Sequence, residues 1–316
     1  VAEVSAADLH APGGTAGQAP GGTAGQAPGG TAGPAPGGTA GPAAGGRSHV
    51  GAGGAVHRSV EGGVATLTLD RGGRNTLNGP YADLIAEALD GCRDDPEVRV
   101  VVLTGLGRYF CVGADLSLGP ASIRIHLVED RGGAAEYREP AGRVVMAMGR
   151  LGKPLIVAVN GDAVGGGATI SLAADLRFAA DTARFSFPFT RLGVCPEGAS
   201  TYYLPRLVGL GKASEWLLSG RLIGAEEAER SGLVNRVLPA VDVLPAAQAY
   251  ARELAVTTSA TAVAVTRALL AADAATPVEA SDAESREIAR LADRPDCLEG
   301  VAAFLERRPP RFSDSE

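Results

Sequence analysis

From Ala55 onward the apolar positions recur as short β-type runs followed by helical stripes. Val56–Val60 and Val64–Asp70 read as strands, and the Glu61-Gly62-Gly63 between them predicts a hairpin. Asn78 is placed to cap a helix running to about Cys92, with Leu84, Ile85, Ala88 and Leu89 on one face. Val98–Thr104 and Leu155–Val159 are continuous β-branched runs, the signature of strands buried on both faces. Residues 165–174 join three glycines to a small-residue helix, and Leu176–Ala179 resumes a strand. Beyond Tyr202 the period is helical, with segments at 211–218, 225–231, 242–256, 259–275 and 277–293. The order predicts an α/β core with helical crossovers, followed by a helical C-terminal region.

Composition divides the chain before that pattern begins. Of 44 glycines, 17 lie in residues 1–54, and residues 11–42 are four copies of an Ala-Pro-Gly-Gly-Thr-Ala-Gly octapeptide ending in Gln or Pro. A repeat without large apolar side chains cannot offset its ordering entropy, so residues 1–54 are expected to form a disordered tail. The expected body is then a core over 55–240 and a helical region over 241–316. Outside the tail 28 basic residues face 34 acidic ones, which argues against a generic nucleic-acid or membrane-surface partner. Cys92, Cys111, Cys195 and Cys297 show no Cys-x-x-Cys spacing, and with only four histidines neither a disulfide framework nor a metal site is expected. No run approaches the length of a membrane span, and no basic-then-apolar leader opens the sequence, so a cytoplasmic location is expected.

Two strand exits carry candidate chemistry. Gly165-Gly166-Gly167 leaves a buried strand and opens a helix, where unpaired N–H groups suit a developing negative charge; three glycines there also suit close helix–strand packing. Phe110-Cys111-Val112-Gly113-Ala114-Asp115-Leu116 leaves a second strand, and the two together could supply the paired donors of an oxyanion hole. These segments, with Asn160–Gly167, Leu172–Leu176 and Ala303–Pro309, resemble the enoyl-CoA hydratase/isomerase, or crotonase, family over roughly residues 55–312. The resemblance implies a ββα spiral core with a helical C-terminal trimerisation region. It also implies an acyl-CoA thioester as substrate, with coenzyme A part of the substrate and no separate cofactor. An enolate would be held by the N–H groups of Ala114 and Gly166, and the protein would form a homotrimer or dimer of trimers.

Within that family the acids decide the reaction. The two glutamates of the hydratase pattern match Thr169 and Phe189 here, and neither can carry a proton at neutral pH. Among the acids between Asn160 and Ser200, Asp162 is read as bracing its loop and Asp181 as a surface turn. Asp175, ~13 Å along a helix from Gly166, is read as tying the helix to a strand. Glu197 stands in a Cys195-Pro196-Glu197-Gly198 turn near Phe185, Phe187 and Phe189, where apolar surroundings would raise its pKa. On its own residues the favoured reading is an exposed glutamate in the first turn of a helix. The segment resembles the Δ3,Δ2-enoyl-CoA isomerase branch, which makes Glu197 the single catalytic acid, while Cys195 is read as packing.

Gly113, Asp115, Leu116, Thr169 and Phe189 are expected to line the substrate site. Arg74, in Arg71–Asn78, is expected to meet a phosphate of coenzyme A or to be a solvated loop residue. The resemblance places Phe304 and Arg307 near the nucleotide of a neighbouring subunit. Other enolate reactions on the same scaffold (hydration, thioester hydrolysis, decarboxylation), or a non-catalytic acyl-CoA-binding module tethered by the repeat, are the alternatives.

Overall fold

Seven strands make the main sheet of the computed structural model, which describes residues 47–51, 53–123, 137–272 and 274–313. The sheet is antiparallel through β1 (Arg47–Gly51), β2 (Gly54–Glu61) and β3 (Val64–Asp70). It is parallel from β3 through β4 (Val100–Gly105), β5 (Leu155–Val159), β7 (Leu176–Ala180) and β10 (Arg236–Leu238). β6 (Ala163–Val164), β8 (Arg184–Ser186) and β9 (Ile223–Gly224) form a small second sheet. Long strand, short strand, helix is thus the repeating unit, seen most clearly in β5, β6 and α3 (Gly166–Leu172). This is the ββα core that the sequence implies.

The hairpin forms as predicted: Glu61 pairs with Val64, and Gly62 and Gly63, at φ 56° and 78°, supply the two left-handed residues of a tight turn whose twist matches the strands. α1 (Gly79–Arg93) is capped by the Asn78 side chain, which accepts from the Tyr81 N–H at 3.0 Å. Every residue of β4 and β5 is buried, as their unbroken apolar runs require. The core spreads over both faces of the sheet, with Tyr81, Ile85 and Leu89 of α1 among its largest fully buried residues.

Several elements depart from the sequence reading, β10 among them, a strand of the main sheet beyond Tyr202 where helices were expected. β1 pairs with β2 from Arg47 onward, so the ordered body begins before Ala55, inside the segment expected to be tail. Its Ser-His-Val-Gly composition hides a strand whose stability comes from its partner rather than its own propensity. α2 (Pro140–Arg150) was not expected. It starts on Pro140 and buries Val144, Val145, Ala147 and Met148 against α1 and α3. The C-terminal part comprises α4 (Ser200–Val208), α5 (Leu210–Ser219), α6 (Ala225–Arg230), α7 (Val243–Thr257), α8 (Ala260–Ala271), α9 (Pro277–Ala292) and α10 (Pro295–Glu306), the last also unexpected as a helix. Ile288, Leu298, Phe304 and Leu305 on α9 and α10 are exposed. Among the described residues no single helix is long and apolar enough to cross a membrane. The octapeptide repeat lies outside the described residues.

Candidate active site

A single buried asparagine shapes the approach to the site. Asn75, at φ 51°, accepts from the Arg71 N–H through Oδ1 and donates through Nδ2 to the carbonyls of Leu106, Tyr109 and Phe110. It ties the loop after β3 to the segment leaving β4, and short amide side chains are among the few that tolerate this backbone. That segment then makes an isolated parallel β-bridge: the Leu77 N–H donates to the Gly113 carbonyl at 2.8 Å, and the Asp115 N–H donates to the Leu77 carbonyl at 3.0 Å. Because the flanking groups are committed to Leu77, the Ala114 N–H faces the opposite side.

On that side stands Gly166. A Cβ added at Gly113, whose φ is 82°, would lie 3.3 Å from the Gly166 nitrogen and collide with the Val164 carbonyl at 2.6 Å. Only glycine lets the two chain segments approach so closely. Gly166 is the first residue of α3, where N–H groups have no partner within the helix. Among the described residues neither the Ala114 nor the Gly166 N–H donates to a protein acceptor. The other end of α3 is satisfied by Arg177, whose buried guanidinium donates to the carbonyls of Ser171, Leu172 and Ala174; burial pushes its pKa down to about 10.

Glu197 reaches the same point. Its Oε1 lies 2.9 Å from where a Gly166 Cβ would stand, so the absent side chain leaves room for the carboxylate beside the donors. The group is half-buried, and its pKa is raised to about 7, first by burial and second by the charge of Glu139. The site therefore combines two unpaired N–H donors with a carboxyl that exchanges protons near neutrality, the requirements for making and quenching an enolate.

These groups share a cavity of about 710 Å³ lined by Leu116, Phe189, Leu192, Val194 and Ala141 among others. A groove of about 640 Å³ lies on the other side of Val112, Ala114 and Leu116, which line both spaces. Arg71 and Arg74 line the groove. Arg71 is held by Asp115 at 3.0 Å and by the Thr76 carbonyl at 2.9 Å, whereas Arg74 is exposed. Of the expected substrate-site residues, Gly113, Leu116 and Phe189 thus line the cavity, and Arg74 and Asp115 the groove. Among the described residues no cluster of three or more His, Cys, Asp or Glu side chains could hold a metal ion.

Other expectations need correction. Thr169 is fully buried beneath Gly198, its hydroxyl donating to the Gly166 carbonyl at 3.0 Å, and it is not part of the cavity wall. A helical threonine satisfied by a carbonyl one turn back has no donor left to offer. Phe185 and Phe187 belong to the core, and only Phe189 of the three aromatics borders the cavity. Cys195 is exposed on the cavity wall rather than packed. Asp162 braces its loop through Arg184, and Asp175 accepts from the Leu155 N–H at 2.7 Å while pairing with Arg267.

Glu139 lines the cavity as well, which the sequence reading missed. It is the residue before Pro140 at the start of α2, with Oε1 accepting from the Gly198 N–H at 2.6 Å. A glutamate immediately before a proline and an amphipathic run is a visible helix-start signal, but its aim toward Glu197 is set by tertiary packing.

The family model for enoyl-CoA hydratase/isomerase matches residues 59–315. The chain is 37% identical over 255 residues to enoyl-CoA hydratase ACTT3 of Alternaria alternata, covering 80% of this chain and 84% of that one. It is also 37% identical over 263 residues to 1,2-epoxyphenylacetyl-CoA isomerase of Escherichia coli K12, covering 80% and 96%. A crystal structure of an enoyl-CoA hydratase from Polaromonas sp. JS666 superposes with a TM-score of 0.75 at 32% identity, covering 82% of this chain and 99% of that chain.

Proposed function

This chain belongs to the enoyl-CoA hydratase/isomerase family, and we propose that it shifts the double bond of a 3-enoyl-CoA to give a 2-trans-enoyl-CoA. Glu197 removes a proton from C2. The electron pair passes through the thioester to its oxygen, and the N–H groups of Ala114 and Gly166 hold the resulting dienolate. The carboxyl then returns the proton to C4 and the double bond settles between C2 and C3. The thioester lies between cavity and groove, with the acyl chain among Leu116, Phe189 and Leu192 and the coenzyme A phosphates near Arg71 and Arg74.

The observation that carries this reading is the placement of Glu197 Oε1 beside Gly166, while Thr169 and Phe189 occupy the positions of the hydratase acids. A base whose pKa is near 7 can both take and return a proton at neutral pH. Hydration of a 2-enoyl thioester is the second reading. It is favoured by relatives named hydratases. Assays with 3-hexenoyl-CoA and crotonyl-CoA separate the two. Conversion of the first without hydration of the second is expected, and Glu197→Gln should lose isomerisation while still binding acyl-CoA. Full isomerase activity in that variant would overturn the assignment. The exposed apolar side chains of α9 and α10 support association with further copies of the chain, which we read as a trimer or a dimer of trimers.

A further inference from the structure

The turn that carries Glu197 is not held by its own backbone alone. Gly198 and Ala199 both adopt left-handed backbone, at φ 59° and 53°, a conformation that is unfavourable for alanine. What fastens the turn from outside is Glu139, whose Oε1 accepts from the Gly198 N–H at 2.6 Å across 59 residues of sequence. Ala141, two residues further along, packs its Cβ within 3.5 Å of the Cβ positions of both Gly166 and Gly198, so the start of α2 touches both halves of the site.

The charge environment adds to this. Among the described residues lining the cavity, Glu139 and Glu197 are the only charged side chains, and no Lys, Arg or His is present to offset them. Among the described residues the other titratable groups near Glu197 are thiols and a phenol. Cys111 lies behind it with its thiol pushed up to about 12 by burial and therefore neutral, and Cys195 and Tyr137 line the cavity.

We propose that Glu139 is a positioning residue for Glu197: one of its oxygens clamps the turn that bears the base, and its charge sits in the same cavity. This rests on Glu197 being the base, but not on which acyl-CoA reaction follows. With one oxygen committed to the Gly198 N–H, Glu139 acts through Glu197 instead of touching the reacting carbons. After burial, its charge is the second cause that raises Glu197 toward neutrality.

Glu139→Gln separates charge from clamp, because the amide oxygen can still accept from Gly198 while the charge is removed; Glu139→Ala removes both. In the full chain without substrate, infrared difference spectroscopy follows the carboxyl band that disappears in Glu197→Gln. Its titration midpoint should fall by about one pH unit in both Glu139 variants, the scale of removing a nearby like charge. Hydrogen exchange of the peptide spanning Glu197–Ser200 should quicken in Glu139→Ala and stay near wild type in Glu139→Gln. A midpoint unchanged in Glu139→Gln would overturn the electrostatic part, and equal exchange in wild type and Glu139→Ala would overturn the clamp. Neither readout needs turnover, so both remain decisive if the chain proves to be a hydratase.

Discussion

Replacing Glu197 by Gln should stabilise the protein at high pH while destroying its chemistry. The folded protein holds this carboxyl at about 7, whereas the unfolded chain holds it near 4.5, so the native state binds the proton more tightly. Stability from this group is complete below about pH 4.5, declines as pH rises through the window from 4.5 to 7, and is lost above it. The interval corresponds to about 3 kcal/mol between protonation states. Glutamine mimics the neutral acid at every pH and escapes that penalty. The variant should therefore gain about 3 kcal/mol over wild type at pH 8 but under about 1 kcal/mol at pH 5. With a shift of roughly 2–4 °C per kcal/mol for a body of this size, thermal denaturation should show a gap of several degrees at pH 8 that closes toward pH 5. A gap of the same size at both pH values would show that burial does not strain this carboxylate and would remove the physical basis for its role as a base.

Gly113→Ala should cost on the order of 10²–10³ in kcat, the scale of a lost oxyanion donor, because its methyl would strike the Val164 carbonyl and push Ala114 away from Gly166. Acyl-CoA turnover at saturating substrate checks this, and near-normal kcat would show that the two donors are not set by that contact. Light scattering of the wild-type chain should report three or six subunits, and the double variant Leu298→Glu, Phe304→Glu should reduce that number. A monomeric wild type would leave the exposed side chains of α9 and α10 without the partner inferred for them.

The parts of the site legible in the sequence are those whose geometry is local. Gly166 follows a strand and opens a helix, so its unpaired N–H could be foreseen from the glycine run and the buried Leu155–Val159 before it. Glu197 was visible because a Pro-Glu-Gly turn is a local object, and the resemblance to a known family added the meaning. Thr169 was misplaced because residue spacing says which turn of α3 it occupies, but not that Gly198 would close over it. Glu139 went unseen because α2, lying outside the strongest apolar runs, is positioned by α1 and α3. The strand Arg47–Gly51 was lost in the tail for the same reason: a strand at the edge of a sheet is specified mainly by what it pairs with.

Val112, Ala114 and Leu116 line both the cavity and the groove, so one thickness of chain partitions the two. On the proposed function, a ligand spanning that partition would be registered by the group that sits in the gap, the thioester, and not by the far end of its acyl chain. The partition therefore works as a ruler with its zero at the carbonyl. If Glu197 is the base proposed above, long and short acyl chains would present the same carbons to it, and whatever the outer wall selects, the position of reaction along the chain would not change with it.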